Sequence, residues 1–290
     1  MATPRPYNGS YTGDIRSLVQ YLESRLASSD IPLFLVGNSL SANLLTKYLG
    51  EEGWSGTLPK CVAGAAALGN PLLLHATNLG SPWQEILAMG VKKDVLLNWP
   101  SLRHMTSPGY RSAIYNVLKA RTIGGVDEGF APILIRNEPV YPFAVRIGYE
   151  NAEAYWADGS SCNYIKHISV PCLQIVAGDD MIVYKSFQKK LTHCIQNPNV
   201  MCVETKCGGH LGWQEAAPDS NMFGVGTSWA DRATLDFFDA ILKTRKKNSE
   251  PRISPDNSGF QGQVERNLER DTNDENMKLS HEFPRFRSKL

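Results

Sequence analysis

The 290-residue sequence predicts an α/β fold, a mostly parallel sheet flanked by helices, and three observations carry that prediction. Four short apolar runs, Leu33-Phe34-Leu35-Val36, Val62 to Leu68, Cys172 to Ala177 and Val200 to Val203, lack alternation, as strands buried on both faces do. Stretches with helical spacing separate them, giving the strand-helix-strand rhythm of a parallel sheet. Between the second and third runs stand about a hundred residues rich in Trp, Tyr and Pro. That is too long for a simple crossover and predicts a cap inserted over the strand ends.

Ile15, Leu18, Val19, Leu22 and Leu26 fall at helical spacing after a Thr12 cap, so residues 13 to 28 should form an amphipathic helix. Pro32 opens the first strand, which ends at Gly37. Leu40 to Leu49 reads as a helix closed by Gly50, and Val62 to Leu68 as the second strand. The inserted cap spans about residues 76–160. After the third strand a helical stretch from about Lys185 to Ile195 leads to the fourth. A last helix, capped near Thr227 or Ser228, should bury Trp229, Leu235, Phe238 and Leu242 against the sheet. The core therefore covers residues 1–244. From Arg245 the chain is polar, charged and poor in aliphatic residues, so residues 245–290 are expected to be a disordered tail whose ordering entropy no burial offsets.

Composition narrows the partners. Thirty basic and 29 acidic residues leave a net charge of +1, which gives no electrostatic reason to expect nucleic acid. A hydrophobic content of 42% suffices for a substantial core. The six cysteines, Cys61, Cys162, Cys172, Cys194, Cys202 and Cys207, include no C-x-x-C pair, and no histidine stands at zinc-ligand spacing from a cysteine pair. They read as reduced thiols, with no metal or other cofactor expected. The first residues lack the charged start and apolar stretch of a signal peptide, and no run approaches the roughly 18 apolar residues of a transmembrane segment.

The sharpest chemical feature is Gly37-Asn38-Ser39-Leu40-Ser41, set between a buried strand and a helix. A strained strand-to-helix turn holds a serine hydroxyl clear of the sheet, and needs small residues two before and two after it. Ser41 stands where a second glycine is usual. The N–H of Leu40, at the helix start, faces a developing oxyanion. A hydroxyl needs a base to become nucleophilic, and the base needs a carboxylate to orient it. The loop after the third strand offers Asp179 and Asp180; Asp180 is preferred because Asp180-Met181-Ile182-Val183 has an acid-x-apolar-apolar pattern, and Asp179 is the fallback. Either could instead cap the following helix. After the fourth strand comes Cys207-Gly208-Gly209-His210-Leu211-Gly212, where paired glycines let the backbone bend so that His210 reaches the serine. His75, His104, His167, His193 and His281 lack this context. The reading is thus a nucleophile Ser39, an acid Asp180 and a base His210, in that chain order.

With these residues in hand, the chain resembles the YheT-like branch of the α/β-hydrolases, which includes plant embryogenesis-associated proteins and animal abhydrolase-domain lipid hydrolases. The stretches that carry the resemblance are GNSLSANLLTKYLGEEG, ALGNPLLL, GYENAEAYWADGSS, VAGDDMIV and NPNVMCVETKCGGHLGW, between about residues 11 and 240. The resemblance implies an α/β-hydrolase fold and a serine hydrolase of lipid-like carboxylic esters, working through Ser39, Asp180 and His210 and an acyl-enzyme. It implies no cofactor. Relatives of this kind also include alcohol O-acyltransferases, and a non-catalytic, lipid-binding protein on the same fold is the alternative from another class. Members of the branch carry several strands and a His-Gly loop upstream of the region matching Tyr7 to Arg16. The resemblance therefore implies an N-terminally truncated core, with those N-terminal strands missing, the Ser39 strand left as an apolar edge, and the second oxyanion donor missing from the chain. The chain ends Ser288-Lys289-Leu290, a sequence read by the peroxisomal import receptor, so a peroxisomal location is expected; without that signal the location would be cytoplasmic.

Overall fold

The computed structural model describes residues 5–6, 8–26, 29–106, 108–137, 145–216 and 225–249. Chain order begins with α1 (Gly13–Leu26), β1 (Leu33–Asn38), α2 (Leu40–Ser55) and β2 (Val62–Leu68). An inserted segment follows, with α3 (Trp83–Leu97), α4 (Trp99–Leu102), α5 (Tyr110–Lys119), α6 (Ile123–Phe130), a small antiparallel pair β3 (Ile135–Asn137) and β4 (Val145–Ile147), and α7 (Ala152–Gly159). The chain then returns through β5 (Cys172–Ala177), α8 (Tyr184–Ile195) and β6 (Val200–Thr205). It closes with a second antiparallel pair, β7 (Gln214–Ala216) and β8 (Val225–Ser228), and α9 (Trp229–Ser249).

The four predicted apolar runs pair as one parallel sheet in the order β1-β2-β5-β6. Because side chains alternate along a strand, β5 sends Cys172 and Val176 toward a core built with α2 and α8, and Leu173, Ile175 and Ala177 toward α9. The inserted segment has a third core of its own, built from Ala88, Val95, Ile114, Val117, Phe130 and their neighbours. This is why so long an insertion folds: it buries apolar surface independently of the sheet.

Several sequence boundaries move, each for a packing reason. The helix after Ser39 continues past Gly50 to Ser55 and is closed by Gly56, whose φ of 68° suits the left-handed cap that glycine adopts without strain. Gly50 is instead a contact surface, since a Cβ there would lie 2.3 Å from the Tyr164 carbonyl oxygen, and Gly53 is tighter still, at 1.9 Å from that of His167. In α1 only Val19 is fully buried, and Leu18 faces solvent; the Thr12 hydroxyl donates to Glu51 of α2. On α9 the inward residues are Ala230, Thr234, Phe238 and Ile241, with Phe238 stacked on Phe34 at 4.4 Å, whereas Leu235 is 63% and Leu242 38% exposed. That helix also runs to Ser249, five residues into the segment expected to be disordered. Residues 250–290 of that tail lie outside the described residues. No described helix is long and apolar enough to cross a membrane.

Candidate active site

Ser39 sits where β1 turns into α2, with φ 54° and ψ −121°, a conformation that L-residues rarely adopt. The turn is this sharp because the strand stays paired to its end: Asn38 is in register with Leu68, and the Ser39 N–H donates to the Leu68 carbonyl at 2.8 Å. Gly37 is required by the same geometry, since a Cβ there would come within 2.6 Å of the Ser41 carbonyl oxygen. Ser41 is exposed, which accounts for a serine at the second small position. The Ser39 side chain makes no capping bond to α2, so its hydroxyl is left for another partner. Leu40 is the first residue of α2, and its N–H is one of the donors at a helix start that have no acceptor within the helix.

The two aspartates after β5 divide the work. Asp180 has a side chain wholly removed from solvent; its Oδ1 accepts the N–H groups of Ile182 and Val183 at 2.8 and 3.0 Å, and its Oδ2 lies 2.9 Å from His210 Nδ1. It therefore closes the turn that precedes α8 and holds the imidazole at once; it does not cap α8, whose N-cap is Val183 with no side-chain bond. Asp179 engages the same histidine loop through the loop's backbone, accepting the Gly209 N–H at 2.8 Å.

The histidine loop is shaped by glycine. Gly208 and Gly209 have φ of 154° and 58°, and a Cβ on Gly208 would meet the Trp213 indole at 2.3 Å. Trp213 is itself tied back to β6, its Nε1 donating to Thr205 Oγ1 at 2.9 Å. His210 is thereby delivered with Nε2 at 2.7 Å from Ser39 Oγ. A carboxylate can only accept, so an ionised Asp180 selects the tautomer with the proton on Nδ1 and leaves the Nε2 lone pair toward the serine O–H. The structure thus brings together Ser39, Asp180 and His210, with Leu40 beside the serine.

One contributor was not legible in the sequence motifs. Gly69, after β2, has φ 61° and lies against the His210 carbonyl, where a Cβ would approach to 2.8 Å. The neighbouring Asn70 donates to Thr46 Oγ1 and Gln174 Oε1, both at 3.0 Å, and fixes this loop to α2 and β5. The stretch ALGNPLLL contained both residues, but nothing in its spacing tied them to the histidine.

Ser39, Leu40 and His210 open onto a cavity of about 760 Å³ lined by Leu73, Leu79, Val91, Val95, Phe130 and other apolar side chains of the inserted segment. Its polar interruptions include His75, Asp94, Asn98 and Asp127. His75, set aside on sequence grounds, packs its ring 4.8 Å from that of Trp156. Asp127 accepts the Trp156 indole N–H at 2.8 Å; burial pushes its carboxyl up to about 6, outweighing that hydrogen bond, which lowers it. Among the described residues no cluster of three or more His, Cys, Asp or Glu could hold a metal ion, and the six cysteines are free thiols.

No protein-family model matches the chain. It is 28% identical over 253 residues to Embryogenesis-associated protein EMB8 of Picea glauca, covering 84% of this chain and 50% of that protein. It is 30% identical over 222 residues to a monoacylglycerol lipase of Saccharomyces cerevisiae, covering 73% and 44%. With medium-chain fatty acid ethyl ester synthase/esterase 2 of the same yeast the identity is 29% over 258 residues, covering 82% and 52%. The chain spans about half the length of these relatives.

Proposed function

Because this chain belongs to the α/β-hydrolase superfamily, we propose that it is a serine hydrolase of lipid-like carboxylic esters, with Ser39 as nucleophile, His210 as base and Asp180 as the carboxylate that orients it. The observation that carries this reading is the unbroken contact line from Asp180 Oδ2 through the His210 ring to Ser39 Oγ, at 2.9 and 2.7 Å, opening into a mostly apolar cavity. In the reaction His210 Nε2 takes the Ser39 proton as Oγ attacks the ester carbonyl, and the imidazolium then protonates the departing alkoxide. The acyl-enzyme is cleaved by water activated in the same way. The Leu40 N–H at the positive end of α2 stabilises the oxyanion in both halves. Removing one such donor costs about 10²-fold to 10³-fold in rate in hydrolases of this type, which is the scale of the assistance expected from Leu40.

A fluorophosphonate probe tests this directly. Folded protein should be labelled at Ser39, and S39A should not; labelling that persists in S39A, or no labelling of the folded protein, refutes the nucleophile and favours a non-catalytic binding protein.

The name of the yeast ethyl ester synthase/esterase supports a second reading, acyl transfer to an alcohol. Ester formation outrunning acid release when alcohol is added would establish it. We further propose that Ser288-Lys289-Leu290, outside the described residues, is a peroxisomal address. A fluorescent fusion that stays punctate after those three residues are removed would overturn it.

A further inference from the structure

We propose that the Asp127–Trp156 pair is the head-group site of the cavity, where Asp127 accepts hydrogen bonds from hydroxyls of a neutral, polyol-bearing ester and excludes phosphate-bearing lipids. This rests on the reading of Ser39 as an ester-cleaving nucleophile opening into the same cavity. Ile123, Val126, Asp127 and Phe130 fall at helical spacing on α6 and all line the cavity, so the helix presents an apolar stripe interrupted by one acid. A carboxylate has about four lone-pair sites. Among the described residues the Trp156 indole N–H is the one hydrogen-bond donor to it.

An acid left in that position favours ligands that bring donors, since a desolvated carboxylate with few partners is costly. Trp156 holds the acid's orientation from α7, so Oδ2 is committed to the indole and Oδ1 is left for a ligand. The charge of the lining selects among lipid head groups. Asp94 and Asp127 both line the cavity, with no Lys or Arg among the lining residues described. A phosphodiester would carry its negative charge toward two carboxylates with no fixed cation to meet it, whereas glyceryl hydroxyls meet acceptors. Burial raises the Asp127 carboxyl to about 6, so above neutral pH it is chiefly the acceptor-only form.

The test is binding to the full chain carrying S39A, measured by calorimetry with 1-monolauroylglycerol, ethyl laurate and 1-lauroyl-lysophosphatidylcholine. D127L should weaken monolauroylglycerol about tenfold or more and leave ethyl laurate within about twofold. W156F, which frees the acid from the indole, should produce a smaller loss in the same direction. Equal losses for both neutral esters would mean that Asp127 only packs the cap. No loss, or lysophosphatidylcholine bound as tightly as the monoglyceride, would also overturn the proposal. Should D127L not fold, D127N keeps the shape and should still weaken the monoglyceride selectively. Turnover by the chain with Ser39 intact separates the two readings: no hydrolysis with the binding pattern preserved would refute the nucleophile alone. Hydrolysis whose preference between the two neutral esters is unmoved by D127L would refute the head-group site alone.

Discussion

Asp179 accepts the backbone N–H of Gly209, while its chain neighbour Asp180 holds the ring of His210 one residue further on. Two adjacent carboxylates thus fix the backbone and the side chain of the same loop. D180N should cost on the order of 10³-fold to 10⁴-fold in kcat, because an amide no longer enforces the Nδ1 tautomer. D179A should cost only about tenfold and D179N less, since the asparagine oxygen still accepts the Gly209 N–H. Steady-state kinetics of the three variants checks this, and equal losses at the two positions would contradict the division.

Ser39 has a positive φ, with ψ −121°, a conformation that costs an L-residue about 1–3 kcal/mol and costs glycine far less. S39G and S39A should both be inactive. S39G should nonetheless be more stable than S39A, by about 1 kcal/mol, in urea denaturation. An S39G chain less stable than S39A would mean that the turn is not strained.

Gly53 and Gly56 lie three residues apart yet should respond differently. G53A places a Cβ against the His167 carbonyl and should lower stability by about 3 kcal/mol or more, since backbone must move. G56A meets open space and should cost only about 1 kcal/mol, from its positive φ. Paired denaturation curves decide between them.

Asp127 should leave a signature in the pH dependence of stability. Its carboxyl rises from the usual 3.8 to about 6 through burial, so the folded state binds the proton more tightly than the unfolded state. The associated stability is fully present below about pH 4, is lost as pH rises toward 6 and is absent above it, a change of roughly 3 kcal/mol. His75 and Asp94 line the same cavity and His210 faces it, so the comparison that isolates Asp127 is D127N, which should flatten the curve between pH 4 and 6.

The four strands and the loops bearing Ser39, Asp180 and His210 were legible because each is written locally. An unalternating apolar run reads as a buried strand, and a glycine frame reads as a bent loop. What escaped depends on contacts between distant segments. Gly50 looked like a helix stop because a glycine after a periodic run usually is one; only the approach of Tyr164, more than a hundred residues on, makes it an interior contact. Leu235 and Leu242 share helical spacing with Phe238, but the rotation of α9 is set by Phe34 and by Ala230, which admits close approach to the sheet. Asp127 and Trp156 meet across 29 residues, from two cap helices that no periodicity ties together.

One helix is a common reference for the chemistry and for the chamber above it. Ser39 precedes the first residue of α2. Lys47, in its middle, is buried and bonds Asp158 of α7 and the carbonyl of Ser10, both at 2.9 Å. Gly50 and Gly53 seat the 164–169 backbone on its far half. A small shift of this one axis would carry nucleophile, α7 and the chain leading into β5 together. Alignment between reacting atom and substrate chamber is therefore kept by shared attachment, with few joints along which error could accumulate.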